Sequence, residues 1–108
     1  MTSELLKYRL ILMVERASVE LPVSAQIIAS ELGITDRDVR QMVRSFRTEG
    51  VLIGGTEKGY WIMKNWAEWS VGSKQIHRHA LEELKTFNQM KRAAHKKFSN
   101  QVELELTL

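Results

Sequence analysis

Four polar side chains at helical spacing, Arg37, Arg40, Gln41 and Arg44, are the group in this sequence best suited to chemistry. Arginine presents a planar fork of donors that matches guanine O6 and N7 or a phosphate, and glutamine matches adenine N6 and N7. Steps of three and four place these side chains on one side of a helix. A helix with Arg and Gln on its outer face fits a DNA major groove. Thr35 and Arg47 extend the face at its two ends, and Lys58 supplies a further cation from a turn downstream. The plain alternative is a solvated helix with intrahelical pairs such as Asp36–Arg40. Asp36 and Asp38 repel phosphate, so they argue for selective contact over general binding, and they also stabilise a helix N-terminus.

The surrounding stretch, AQIIASELGITDRDVRQMVR over residues 25–44, supplies the elements that must hold this face. Its spacing is that of two short helices packed through a tight turn. Ile28, Leu32, Ile34, Val39 and Met42 are the apolar positions, and Ala29 is small where two helices must approach. Gly33 falls where the turn requires φ > 0. Ser24 caps the first of the two helices, and Thr35 caps the second with Asp38 completing a capping-box variant. Ile34 and Val39 form a hydrophobic staple, Val39, Met42, Val43 and Phe46 make the buried stripe, and Gly50 ends the helix.

Upstream, the spacing of Leu6, Leu10, Met13, Val14 and Ala17 predicts a helix over 3–17. Ile11 and Leu12 widen its apolar face beyond what a three-helix domain needs, and point to packing against the C-terminal helix or a second subunit. Leu21-Pro22-Val23 reads as a short extended segment. Downstream, Val51–Ile53 and Tyr60–Met63 are β-prone runs around the glycine-rich stretch 54–59, which predicts a hairpin with Thr56, Glu57 and Lys58 at its tip. The expected fold is therefore mainly α with a small β-hairpin wing: a winged helix-turn-helix over 1–64, a long C-terminal helix over 65–98 and a short acidic-apolar tail over 99–108.

The C-terminal helix starts at an Asn65/Glu68 cap and carries Trp66, Trp69, Ile76, Ala80, Leu84, Phe87, Met90, Ala94 and Phe98 at steps of three or four, with one beat missing near Ser73. Gly72 weakens a helix by ~1 kcal/mol relative to Ala and marks a bend or break. Unbroken, about 30 residues of helix span roughly 45 Å, more than the diameter of the domain before it. The apolar stripe then needs another partner, and the same helix of a second subunit is the natural one. Trp66, Trp69, Ile76, Leu84, Phe87 and Met90 are the expected dimer interface. Lys74, Arg78, Lys85, Lys91, Arg92, Lys96 and Lys97 either track phosphate or form the solvated face of an amphipathic helix.

Composition bounds the rest. The chain has 108 residues, a net charge of +3 and no cysteine, which excludes disulfides and Cys-based zinc sites. The modest charge predicts limited non-specific affinity for DNA. The longest apolar run, Leu10–Val14, is far short of the ~20 residues that span a bilayer, and residues 1–6 carry no secretory pattern. These features fit the cytoplasm of a bacterium or a phage-infected cell, with no membrane partner. His77 and His79 point nearly opposite ways on a helix and His95 stands apart, so no metal site is expected. No acid–base pair, Ser/His/Asp set or phosphate-binding glycine loop is visible, so neither enzyme activity nor a cofactor is expected. Trp61, Trp66 and Trp69 read as core or dimer interface.

The runs VSAQIIASELGITDRDVRQMVRSFRTEGV and VLIGGTEKGYWIM, with the Lys58-Gly59-Tyr60 step opening the last strand, resemble the winged helix-turn-helix of the biotin-repressor-like class. The resemblance covers residues 5–63. It implies a DNA-binding fold but no ligase activity, because the biotin-ligase domain of the biotin repressor is absent. A basic C-terminal helix followed by Gln101-Val102-Glu103-Leu104-Glu105-Leu106 is similar to the ends of small phage and prophage winged-helix proteins. Gln101, Leu104 and Leu106 also resemble the short motif that docks replication and repair proteins on the bacterial sliding clamp, while the alternation of the same run is a β-strand pattern. Two functions follow as expectations. The first is a dimeric, sequence-specific binder of double-stranded DNA, a phage or prophage transcriptional regulator or replication organiser. The alternative is an interaction module that recruits a replisome protein through its C-terminal helix and tail.

Overall fold

The computed structural model describes residues 2–99. In chain order these hold α1 (Ser3–Arg16), α2 (Ala25–Leu32), α3 (Asp36–Thr48), β1 (Ile53–Thr56), β2 (Gly59–Ile62), α4 (Trp66–Gly72) and α5 (Lys74–Phe98). The architecture is mainly α with a small two-stranded antiparallel hairpin. The chain divides into two compact units, Met1–Gln75 and Ile76–Leu108.

Side-chain caps fix where the helices of the first unit begin. Thr2 accepts from the Leu5 amide at 3.2 Å and Ser24 from the Ile27 amide at 3.1 Å. Thr35 and Asp38 form a reciprocal capping box, with Asp38 N–H donating to Thr35 Oγ1 at 3.1 Å and Thr35 N–H donating to Asp38 Oδ2 at 3.3 Å. Each cap satisfies amides that have no partner inside the helix. Between α2 and α3 the chain reverses at Gly33, which is left-handed with φ 68°. Val23 bridges β2: its amide donates to the Tyr60 carbonyl at 2.9 Å, and the Tyr60 amide donates back at 2.8 Å. The extended reading of Leu21-Pro22-Val23 thus has a physical outcome, a backbone tie between the α1–α2 connection and the hairpin.

Leu10, Val14, Ile28, Ala29, Leu32, Val39, Val43 and Ile53 make the main core. Fully burying an aliphatic side chain of this kind contributes ~1.5–3 kcal/mol. Ile11 packs against the same cluster, so part of the surplus apolar width on α1 is absorbed inside the first unit. A second cluster joins Ala17, Trp61 and Met63. Alternation along the hairpin separates the two: Ile53, Tyr60 and Ile62 turn to the main core, while Trp61 turns to the other face.

One expectation about the second half of this unit is corrected, and the bend or break anticipated at Gly72 is located. Gly54 and Gly55 are not turn residues: β1 continues through them to Thr56, which pairs with Gly59, leaving only Glu57 and Lys58 as the turn. The C-terminal helix is not continuous from residue 65. It breaks after Gly72 into α4 and α5, and α4 belongs to the first unit, where it packs on β1. One contact joins the two features. A Cβ on Gly72 would lie 2.9 Å from the Gly54 Cα and 2.7 Å from Met63 Sδ, and a Cβ on Gly54 would lie 3.1 Å from the Gly72 Cα. Strand and helix backbones meet where neither carries a side chain.

α5 runs for 25 residues, none of them buried. Among the described residues no helix is long and apolar enough to cross a membrane.

Candidate nucleic-acid interface

α3 separates its residues cleanly. Val39 and Val43 are buried in the main core, whereas Arg37, Arg40, Gln41 and Arg44 are exposed. Among the described residues, the side chains of those four make no hydrogen bond or ion pair with the rest of the chain, so the Asp36–Arg40 pairing does not form. Four long side chains are held on about two turns of one helix with their donor groups free. Such a face offers bidentate donors to base edges or single donors to phosphate.

The two aspartates of the leading turn behave differently from each other. Asp38 folds back to accept from the Thr35 amide, which directs its charge to the helix N-terminus. Asp36 is half-buried. Thr35 is exposed, with its hydroxyl oxygen accepting from the Asp38 amide as the cap.

Arg47 is distinct from its neighbours. Its Nε donates to the Ile53 carbonyl at 2.8 Å, and its guanidinium lies 5.7 Å from the centroid of the Tyr60 ring. Burial pulls its pKa below the ordinary arginine value, and the Tyr60 phenol partly offsets that. A Cβ on Gly55 would come within 3.2 Å of its Nη2, so the second glycine of β1 makes room for this side chain. Arg47 ties α3 to the hairpin, a role that spacing on the helix did not distinguish from groove contact. A signal existed: Arg47 follows Phe46 at the edge of the buried stripe, where a long side chain lies along apolar surface.

Lys58 is exposed on the hairpin turn, its amide donating to Thr56 Oγ1 at 3.2 Å. Lys7 escaped the sequence reading. It is exposed on α1 and lines one shallow depression with Gln41 and Ser45 of α3, which adds a cation beside the donor face. Nothing in the α1 pattern marks it, because the proximity is tertiary.

The expected interface residues fall on two separate surfaces. Trp66 is 83% exposed, and with Trp69, Leu52 and Met63 it lines an apolar hollow of about 550 Å3 in the first unit. Ile76, Leu84, Phe87 and Met90 are exposed along α5. Trp61, by contrast, is wholly buried as a core residue, its indole Nε1 lacking a hydrogen-bond partner among the described residues. His77, His79 and His95 are exposed on α5, and no group of three or more potential metal ligands occurs among the described residues. Gln101, Leu104 and Leu106 lie outside the described residues.

In comparison with known proteins, no family model matches the chain, and no curated protein or solved structure matches it.

Proposed function

We propose that this protein binds double-stranded DNA sequence-specifically, placing α3 in the major groove and the β1–β2 turn against the flanking backbone. The reading includes two copies acting together and a cytoplasmic role as a phage or prophage regulator of transcription or organiser of replication. One observation carries it: Arg37, Arg40, Gln41 and Arg44 stand exposed and unengaged on the outer face of a capped helix whose inner face is core. The order of three helices and a hairpin, and the resemblance of residues 5–63 to the biotin-repressor-like class, favour the same reading. Each good bidentate contact to a base discriminates by ~1–3 kcal/mol, so a few such contacts suffice for a preferred site. Selection from a pool of random duplexes tests it. Enrichment of a short shared sequence is expected, and recovery of no sequence above background would remove the specificity claim.

A second reading is favoured by the large apolar side chains exposed along α5, among them Leu84, Phe87 and Met90, since exposed apolar patches are common at protein interfaces. In it the first unit is a scaffold, and the C-terminal helix and tail recruit a replisome protein such as the sliding clamp. Capture by immobilised clamp, comparing the full chain with a 1–99 truncation, separates the two. Equal recovery of both forms would dispose of a tail-borne docking motif.

A further inference from the structure

We propose that the apolar face of α5 is covered by α5 of a second copy, and that the two helices run antiparallel. The proposal rests on the part of the reading above in which two copies act together, and it assigns that pairing a surface and a direction. α5 has no buried residue, and Ile76, Phe87 and Met90 on this face are each more than two-fifths exposed. The face follows a strict alternation of four and three: Ile76, Ala80, Glu83, Phe87, Met90, Ala94, Lys97. That is the seam of a two-stranded coil, with Ala80, Phe87 and Ala94 in one row and Ile76, Glu83, Met90 and Lys97 in the other. Leu84 and Phe98 widen it on one side.

Two charged residues in an otherwise apolar seam decide the direction. In a parallel pair each seam residue meets its own copy. Glu83 would then face Glu83 and Lys97 would face Lys97, two like-charge layers, while Ala80 would face Ala80 and Ala94 would face Ala94 across gaps. An antiparallel pair centred on Phe87 and Met90 relieves both faults. Phe87 of each copy lies opposite Met90 of the other, Glu83 opposite Ala94, and Lys97 opposite Ala80. Each long polar stem lies over an alanine that leaves it room. Glu83 of one copy also comes within a turn of Lys97 of the other, and symmetry repeats this opposite-charge contact. Charge and volume therefore select the same direction.

Charge exchange in the full chain, read by sedimentation equilibrium, tests this. Wild type is expected to dimerise. Glu83→Lys and Lys97→Glu, taken singly, place like charges together twice and are expected to raise the dimer Kd by roughly tenfold. The Glu83→Lys/Lys97→Glu double variant is expected to regain wild-type affinity within about twofold. A monomeric wild type, singles that dimerise like wild type, or weakened singles that the double variant does not restore would each overturn the proposal. The chain has no native cysteine, so cross-linking gives an independent check. Ala80→Cys/Lys97→Cys is expected to oxidise to a covalent dimer, while each single leaves its sulfur roughly 25 Å along the coil from its twin and stays uncross-linked. Covalent dimers from either single variant would indicate a parallel pair and contradict the assignment. DNA retardation by the same variants is scored separately: DNA binding by a monomer removes this inference alone, and an antiparallel dimer that retards no DNA removes the DNA reading alone.

Discussion

Arg40 and Arg47 are seven residues apart on one helix, chemically identical, and held in opposite ways. Arg40 is exposed and unengaged, whereas Arg47 donates to the Ile53 carbonyl and lies against Tyr60. Lysine lacks the guanidinium Nε–H that makes this donation. Arg47→Lys is therefore expected to lower stability by about 1–2 kcal/mol in urea unfolding, and Arg40→Ala to stay within about 0.5 kcal/mol of wild type. If the DNA reading holds, their effects on DNA affinity run the other way, with the larger loss in Arg40→Ala. Of the seven side chains expected at the DNA interface, spacing placed Arg37, Arg40, Gln41 and Arg44 on one exposed face because helical periodicity is a local property. It failed to single out Arg47 because the carbonyl that holds it belongs to a strand further along the chain.

The helices of the first unit begin where short-range side-chain chemistry says they begin. Ser24, the Thr35/Asp38 box and the Asn65/Glu68 pair all act within four residues, and Gly33 ends α2 in the left-handed conformation. Such features are legible because both partners lie in one short window. Thr35→Ala is expected to cost about 1 kcal/mol, measured by thermal unfolding, by removing the acceptor for the Asp38 amide. The glycines of the hairpin and of α4 were not legible in the same way. Glycine marks a turn by default, and only the folded chain brings Gly54 to Gly72. This pair reverses the sign of a simple expectation. Helix propensity alone has Gly72→Ala gaining ~1 kcal/mol. The 2.9 Å approach of its Cβ to the Gly54 Cα instead makes it an overpacked site, where the cost is ~1–3 kcal/mol. A net fall of several degrees in Tm is expected, and a rise would show that the contact is loose.

At the scale of the whole molecule, the chain is two units with different needs. The first has its own core, caps and hairpin, and is expected to fold without the second. A fragment of residues 1–75 should unfold cooperatively, with a Tm within a few degrees of the same transition in the full chain. A non-cooperative transition would show that α5 supports the first unit. The second unit is a helix without a buried residue, so the sequence showed a stripe needing a partner; Gly72 marked the bend or break, but not that α4 would pack on the hairpin of the first unit. The first unit presents the donor face, and the proposed pairing of α5 helices would set how many such faces act together.

The central claim is that α3 reads DNA with its free arginines. Fluorescence anisotropy on a labelled duplex, across a salt series, tests it with wild type and the Arg40→Ala/Arg44→Ala variant. Loss of two phosphate-neutralising side chains is expected to flatten the slope of log Kobs against log salt by about 2 per protomer bound, alongside a clear fall in affinity. The same affinity and the same slope in a folded double variant would contradict the account.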